Sequence, residues 1–175
     1  MDTYDDISED HDFEFAAKLR AWGVHGLTAF GVVAGLLSVA AITQYQWKIA
    51  FAYMMVSTAI DGIDGTLARK FKVKVVLPGF DGALLDNLVD YFTFVIVPGV
   101  FFYMADLLPP QLALAGAAMI ALASAYQFCQ VDAKTGDNFF KGFPSYWNVV
   151  ALYLYLFQFG PVSYTHLTLP TKRIV

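Results

Sequence analysis

The amino-acid sequence predicts an all-α protein that crosses a membrane several times. Hydrophobic residues make up 58% of its 175 positions and charged residues only 15%, whereas soluble domains average about 45–50% and about 25%. The apolar residues also form long stretches that approach the ~20 residues needed to span a bilayer. A soluble globule, a nucleic-acid-binding protein and a disordered chain are therefore disfavoured.

Five apolar stretches are the predicted transmembrane helices of this bundle. The second becomes polar after Ile60, the third begins with two aspartates, and the fifth is about one turn short. A segment that mixes aromatic and charged residues, Phe13–Trp22, precedes them and predicts an interfacial helix. The five stretches are Val24–Thr43, Trp47–Ala68, Gly82–Ala105, Leu112–Val131 and Tyr146–Pro161.

The first twelve residues differ from the rest of the chain. Seven of the 15 acidic residues lie within the first 14 positions, where there is no Lys or Arg. This composition predicts an acidic, disordered tail over residues 1–12. The membrane-embedded domain then extends over residues 13–161.

Residues 162–175 form a third segment. The hydrophobic stretch ends there without a turn signal or a charge boundary, and the letters V-S-Y-T-H-L are similar to one reading frame of a transposon end used in preparing sequencing libraries. We interpret Val162–Val175 as a non-native, adapter-derived tail, so that the domain is incomplete at its C-terminal end. A genuine C-terminal segment is the alternative.

The basic residues predict the orientation in the membrane, because short cytoplasmic loops carry an excess of Lys and Arg. An up-and-down arrangement of the spans leaves Lys48 alone on one side. Eight basic residues share the other side: Lys18, Arg20, Arg69, Lys70, Lys72, Lys74, Lys134 and Lys141. The N-terminal tail and the loops 69–81 and 132–145 are therefore expected to face the cytoplasm.

Four aspartates inside the predicted spans are the most informative polar residues. Asp61 and Asp64 end the second span, and Asp86 and Asp90 begin the third. Separations of three and four residues place each pair on one face of its helix. Since one loop joins the two helices, all four carboxylates are expected at a similar depth near the cytoplasmic face. Acidic residues in a membrane are rare and usually functional.

Four converging carboxylates cannot all stay ionised without nearby cations. Either some are protonated or divalent metal ions are bound. Oxygen ligands without His or Cys favour Mg²⁺ or Mn²⁺ over Zn²⁺, and a pair of such ions is typical of sites that catalyse phosphoryl displacement. An ion or proton pathway in a transporter is the alternative that uses the same four residues.

Two segments around these aspartates carry a known pattern. D-G-I-D-G-T-L-A-R runs from Asp61 to Arg69, and G-A-L-L-D-N-L-V-D runs from Gly82 to Asp90. Together they resemble the signature of the CDP-alcohol phosphatidyltransferases, with every fixed position occupied. The doubled D-G, the 12-residue spacer after Arg69, and the flanks Ala21–Gly31 and Phe139–Asn148 are similar to the bacterial phosphatidylcholine synthases of that family.

The resemblance implies a CDP-alcohol phosphotransferase helical bundle, here truncated, that transfers a phosphatidyl group from CDP-diacylglycerol to choline and releases CMP. It implies two Mn²⁺ or Mg²⁺ ions, and Asp90 as the candidate catalytic base. It also implies a multi-pass protein of the bacterial inner membrane with its active site facing the cytoplasm, and it allows a homodimer. The implied metal ligands are Asp61, Asp64, Asp86 and Asp90, and the implied CDP contacts are Thr28, Gly65, Ala68, Arg69 and Gly82.

The acceptor alcohol is less directly indicated. A quaternary ammonium group donates no hydrogen bond, so aromatic faces are expected around choline, and Tyr146 and Trp147 are the candidates. Both residues also fit the aromatic belt at a membrane interface. Serine, inositol and glycerol phosphate are alternative acceptors. An acceptor phosphate calls for extra basic residues, and besides Arg69 we expect none from the motif helices.

Overall fold

A computed structural model describes residues 3–130 and 145–157 of the chain, with side chains from residue 14 onward. All regular secondary structure in these ranges is helical, which confirms the predicted fold class. The helices are α1 (Thr3–Thr43), α2 (Trp47–Lys70), α3 (Val73–Val76), α4 (Gly82–Asp90), a π-helical segment (Tyr91–Ile96), α5 (Val97–Met104), α6 (Pro110–Phe128) and α7 (Trp147–Leu156).

Helix α1 is longer than the predicted first span. It runs without a break through the segment expected to be a separate interfacial helix, and it continues back to Thr3. The structure therefore differs from the expected tail at residues 3–12. Further along α1, Lys18 Nζ pairs with Glu14 Oε1 at 2.6 Å one turn away, and such pairs support a helix.

Three helical stretches in the described residues are long and apolar enough to cross a membrane: Glu14–Thr43, Gly82–Met104 and Pro110–Phe128. The 24 residues of α2 suffice in length, but its polar C-terminal half, which includes Asp61 and Asp64, lowers the mean hydropathy. The described part of the fifth predicted span is the short apolar helix α7, with 10 residues.

The hydrophobic core joins the end of α1 to the first half of α2 and to α5 and α7. Ile42, Phe51 and Phe101 are buried there, and the rings of Phe51 and Phe101 meet edge to face with centroids 4.9 Å apart. A tight turn at Tyr45, with φ of 57°, reverses the chain between α1 and α2. This core leaves the second half of α2, with its aspartates, at the other end of the hairpin.

The spacer between α2 and α4 folds back onto the hairpin. Val73 of α3 is buried against Ala21 and Val24 of α1. Helix α4 then begins at Gly82, where Asp81 Oδ1 accepts a hydrogen bond from the Leu84 N–H at 3.0 Å and caps the helix. The spacer thus returns the chain to the level at which α2 ends.

Candidate active site

Three of the four aspartates come together between α2 and α4. One carboxylate oxygen from each of Asp61, Asp86 and Asp90 lies within 4.8 Å of the others, and all three side chains are half-buried. Asp61 and Asp90 also share a side-chain hydrogen bond. Two carboxylates form such a bond only when one is protonated, so this cluster calls for a proton or for a cation in its place.

Asp64 has different surroundings from the other three aspartates. It is only 4% exposed, and its Oδ2 accepts a hydrogen bond from Thr28 Oγ1 at 2.6 Å. It is outside the group of three but within electrostatic range of Asp90. The convergence expected for four carboxylates is therefore seen directly for three, with Asp64 held to one side by α1.

The residues of this cluster fit a hard divalent cation. All its ligand atoms are carboxylate oxygens, the type that Mg²⁺ and Mn²⁺ prefer. Opposite ligands at about 2.1 Å from one Mg²⁺ are about 4.2 Å apart. Oxygens within 4.8 Å of one another need only a small side-chain adjustment to share such an ion.

A cavity of about 590 Å³ lies beside these carboxylates, and both Asp64 and Asp86 are part of its wall. Its volume is in the range of ~300–1,000 Å³ typical of small-molecule sites. Every residue that the sequence predicts to contact CDP lines this one cavity: Thr28, Gly65, Ala68, Arg69 and Gly82.

Arg69 and Gly82, two fixed positions of the motif, make different contacts at the cavity. Arg69 is exposed, and its Nη2 donates a hydrogen bond to Thr66 Oγ1 at 3.1 Å. At Gly82 an added Cβ would collide with the imidazole ring of His25. The missing side chain therefore lets the start of α4 lie directly against α1, where the cavity wall is formed.

The spacer supplies cavity residues that the motif does not contain. Lys74 and Phe80 both line the cavity, and Lys74 adds a second cation to that of Arg69. In the sequence these two residues are only part of a loop, because neither belongs to an apolar span or to a fixed motif position. The unusual length of the spacer is the one signal that points to this segment.

The two aromatic candidates for choline contact are in different environments. Tyr146 is 40% exposed, packs edge to face on Phe94 at 5.4 Å, and is within electrostatic range of Asp61 and Asp90. The Trp147 Nε1–H instead donates to Ser124 Oγ at 2.9 Å. The indole of Trp147 thus joins α7 to α6, and Tyr146 is the one of the two that is within electrostatic range of the carboxylates.

Comparison with known proteins identifies related sequences. The family model described as CDP-alcohol phosphatidyltransferase matches residues 25–172. This range includes part of the segment that we interpret as adapter-derived, which is outside the described residues. No solved structure matches the chain.

Curated relatives carry the printed name phosphatidylcholine synthase. One from Pseudomonas aeruginosa is 42% identical over 82% of this chain and 60% of its own length. Others from Borreliella burgdorferi and Legionella pneumophila are 41% and 46% identical, over 83% of this chain in both cases and 62% and 58% of their own lengths. This chain thus spans about three fifths of these relatives. It belongs to the CDP-alcohol phosphatidyltransferase family.

Proposed function

We propose that this chain is part of an enzyme that transfers the phosphatidyl group of CDP-diacylglycerol to choline, giving phosphatidylcholine and CMP. The main support is the cavity itself, because the carboxylate cluster borders it and all five expected CDP contacts line it. The relatives named phosphatidylcholine synthase favour choline over other acceptors.

The donor headgroup occupies the cavity in this proposal. The Arg69 guanidinium presents a planar set of donors that pairs well with phosphate oxygens. Gly65 leaves the backbone open to a bulky phosphate group beside the Arg69 guanidinium. Two Mn²⁺ or Mg²⁺ ions would be held by Asp61, Asp64, Asp86 and Asp90, and they would offset the negative charge of the pyrophosphate.

The choline hydroxyl enters from the side of the carboxylate cluster where Tyr146 lies. Its oxygen forms a bond to the phosphorus of the phosphatidyl group, while the bond from that phosphorus to the bridging oxygen breaks and CMP leaves with the electron pair. Asp90 accepts the hydroxyl proton. The aromatic face of Tyr146 is chemically suited to the trimethylammonium group.

We place the active site at the cytoplasmic face of a bacterial inner membrane. Arg69 in the last turn of α2 and Lys74 in the spacer line the cavity, and the excess of basic residues in this part of the chain favours the cytoplasmic side. From there the acyl chains of the donor extend between helices into the bilayer, and choline and CMP exchange with the cytosol.

The test uses vesicles that contain the chain, radiolabelled choline, CDP-diacylglycerol and Mn²⁺. We expect labelled phosphatidylcholine and an equal amount of CMP. If CMP release does not depend on choline but requires serine or inositol, the assignment of choline as the acceptor is wrong. Lys74 adds a second basic side chain to the cavity, which favours an acceptor that carries a phosphate. Glycerol phosphate is therefore tested in parallel. Metal flux without CMP release would indicate a transporter instead.

A further inference from the structure

Part of the cavity wall is aromatic. His25 from α1 and Phe80 from the spacer both line the cavity, and their ring centroids are 4.4 Å apart. The ring of Trp22 lies 5.3 Å from that of Phe80. Phe80 is 37% exposed, so its ring packs on its neighbours while part of it stays accessible.

One ring nitrogen of the buried residue His25 has no hydrogen-bond partner among the described residues. His25 is only 7% exposed, and the nitrogen in question is Nε2. Nearly all buried polar atoms in folded proteins are hydrogen-bonded, so an exception calls for an explanation such as a ligand. The close approach of Gly82 keeps the imidazole in place against the cavity.

We propose that His25 and Phe80 form the subsite that binds the base of a pyrimidine nucleotide. This inference rests on the proposed function, which places a cytidine nucleotide in the cavity. A pyrimidine offers a planar face that stacks on an aromatic ring and a polar edge that pairs with His25 Nε2. Neither His25 nor Phe80 is part of the signature pattern.

The charged groups of the substrates are poor partners for Nε2. The trimethylammonium group of choline has no hydrogen-bond donor or acceptor, so it leaves Nε2 unpaired. Phosphate oxygens have better partners in the exposed cations of Arg69 and Lys74, which line the same cavity. The ribose hydroxyls and the base remain, and of these only the base is flat enough to stack on Phe80.

The test measures binding of CDP, UDP and inorganic pyrophosphate to the purified chain with Mn²⁺ by calorimetry. His25→Ala is expected to weaken CDP binding about 10-fold and to reduce the preference for CDP over UDP, whereas His25→Gln, which keeps a polar group, retains part of both. Phe80→Ala is expected to weaken CDP and UDP about equally, about 10-fold. Pyrophosphate, which has no base, should bind both variants as it binds the wild type.

Phe15→Ala is the matched control, since Phe15 is an exposed aromatic residue of the same helix as His25. It should change none of the three affinities. Equal losses of affinity for CDP and pyrophosphate in the His25 and Phe80 variants, or unchanged CDP binding in both variants, would overturn the subsite. The proposed function would still stand in that case, provided that the wild type binds CDP. A wild type that binds no cytidine nucleotide would overturn both.

Discussion

Thr28 is the residue that sets Asp64 apart from the other aspartates. Its hydroxyl donates to a buried carboxylate at 2.6 Å, and hydrogen bonds to ionised groups are among the stronger ones in proteins. Helix α1 therefore orients a charged residue of α2. Groups that orient metal ligands typically change metal affinity or activity by about 10–100-fold when they are removed.

Thr28→Val should raise the Mn²⁺ concentration needed for half-maximal CMP release by about 10-fold, because the side chain keeps its size but loses the hydroxyl. Thr28→Ser should restore most of the wild-type behaviour. Thr43→Val is the control, since Thr43 is exposed and bonds only to the Ala40 carbonyl of its own helix. An unchanged metal requirement in Thr28→Val would contradict this role.

Asp61→Asn and Asp86→Asn should each lower the rate of CMP release by at least about 100-fold, because each removes a charged ligand from the cluster. Asp81→Asn is the matched control. Asp81 lines the same cavity, but it caps α4, and Asn caps helices as well as Asp does. Near-full activity of either cluster variant at low Mn²⁺ would argue against the metal assignment.

At the residue scale, the motif predicts which side chains surround the cavity but not how each is held. The spacing of Asp86 and Asp90 is enough to place them on one face of α4. The bond from Thr28 to Asp64 and the contact of His25 with Gly82 depend on how α1 is rotated about its axis. That rotation is set by packing between helices, which one sequence does not specify.

At the scale of helices, glycines let α1 lie close to the helical span that carries Asp86 and Asp90. A Cβ added at Gly35 would be 2.6 Å from Phe92 Cε1, and one at Gly31 would be 2.9 Å from Val89 Cγ1. Small residues allow such close approach between helices in membranes. The position of the carboxylates therefore depends on glycines of α1 that lie outside the signature pattern.

Gly35→Ala should lower the free energy of unfolding by about 1–3 kcal/mol, because the added methyl group overpacks the contact with Phe92. Gly23→Ala on the same helix is the control, since no atom lies within 4 Å of an added Cβ there. Unfolding of the two variants in a detergent titration gives the comparison. Equal stability of both would show that the α1 contact is not tightly packed.

Hydropathy predicts some element boundaries well and others poorly. The predicted span Trp47–Ala68 agrees with α2 at its start and within two residues at its end, and Gly82 begins α4 as expected. The continuity of α1 and the π-helical segment after Asp90 are not predicted. Apolar runs report how much of a helix can face lipid, whereas helix continuity and π turns depend on local hydrogen bonding and packing.

At the scale of the whole molecule, the distribution of basic residues predicts that the cavity faces the cytoplasm. The single cysteine tests this directly. Cys129 is exposed and follows α6, and the loop after it is on the predicted cytoplasmic side. A membrane-impermeant maleimide should label Cys129 in inverted vesicles but not in intact spheroplasts.

The Cys129→Ser variant gives the background for this labelling experiment. Lysines on either side of the membrane do not interfere with this labelling, because the reagent reacts with the thiolate form of cysteine. Labelling in intact spheroplasts but not in inverted vesicles would show that the chain has the opposite orientation. The choice of carboxylates and cavity residues would then stand, but choline and CMP would exchange with the opposite compartment.

The π-helical segment Tyr91–Ile96 lies between the last aspartate and the aromatic core of α5. Its wider turn accommodates one residue more than an α-helix would over the same contact. Deleting a single residue there would return the span to a regular α-helix with its two ends nearly in phase, whereas the same deletion in the α-helical part of the span would turn Asp86 and Asp90 by about 100° relative to Phe101. The phase of one helical turn, with no carboxylate altered, thus decides whether the acids meet Asp61 or face lipid.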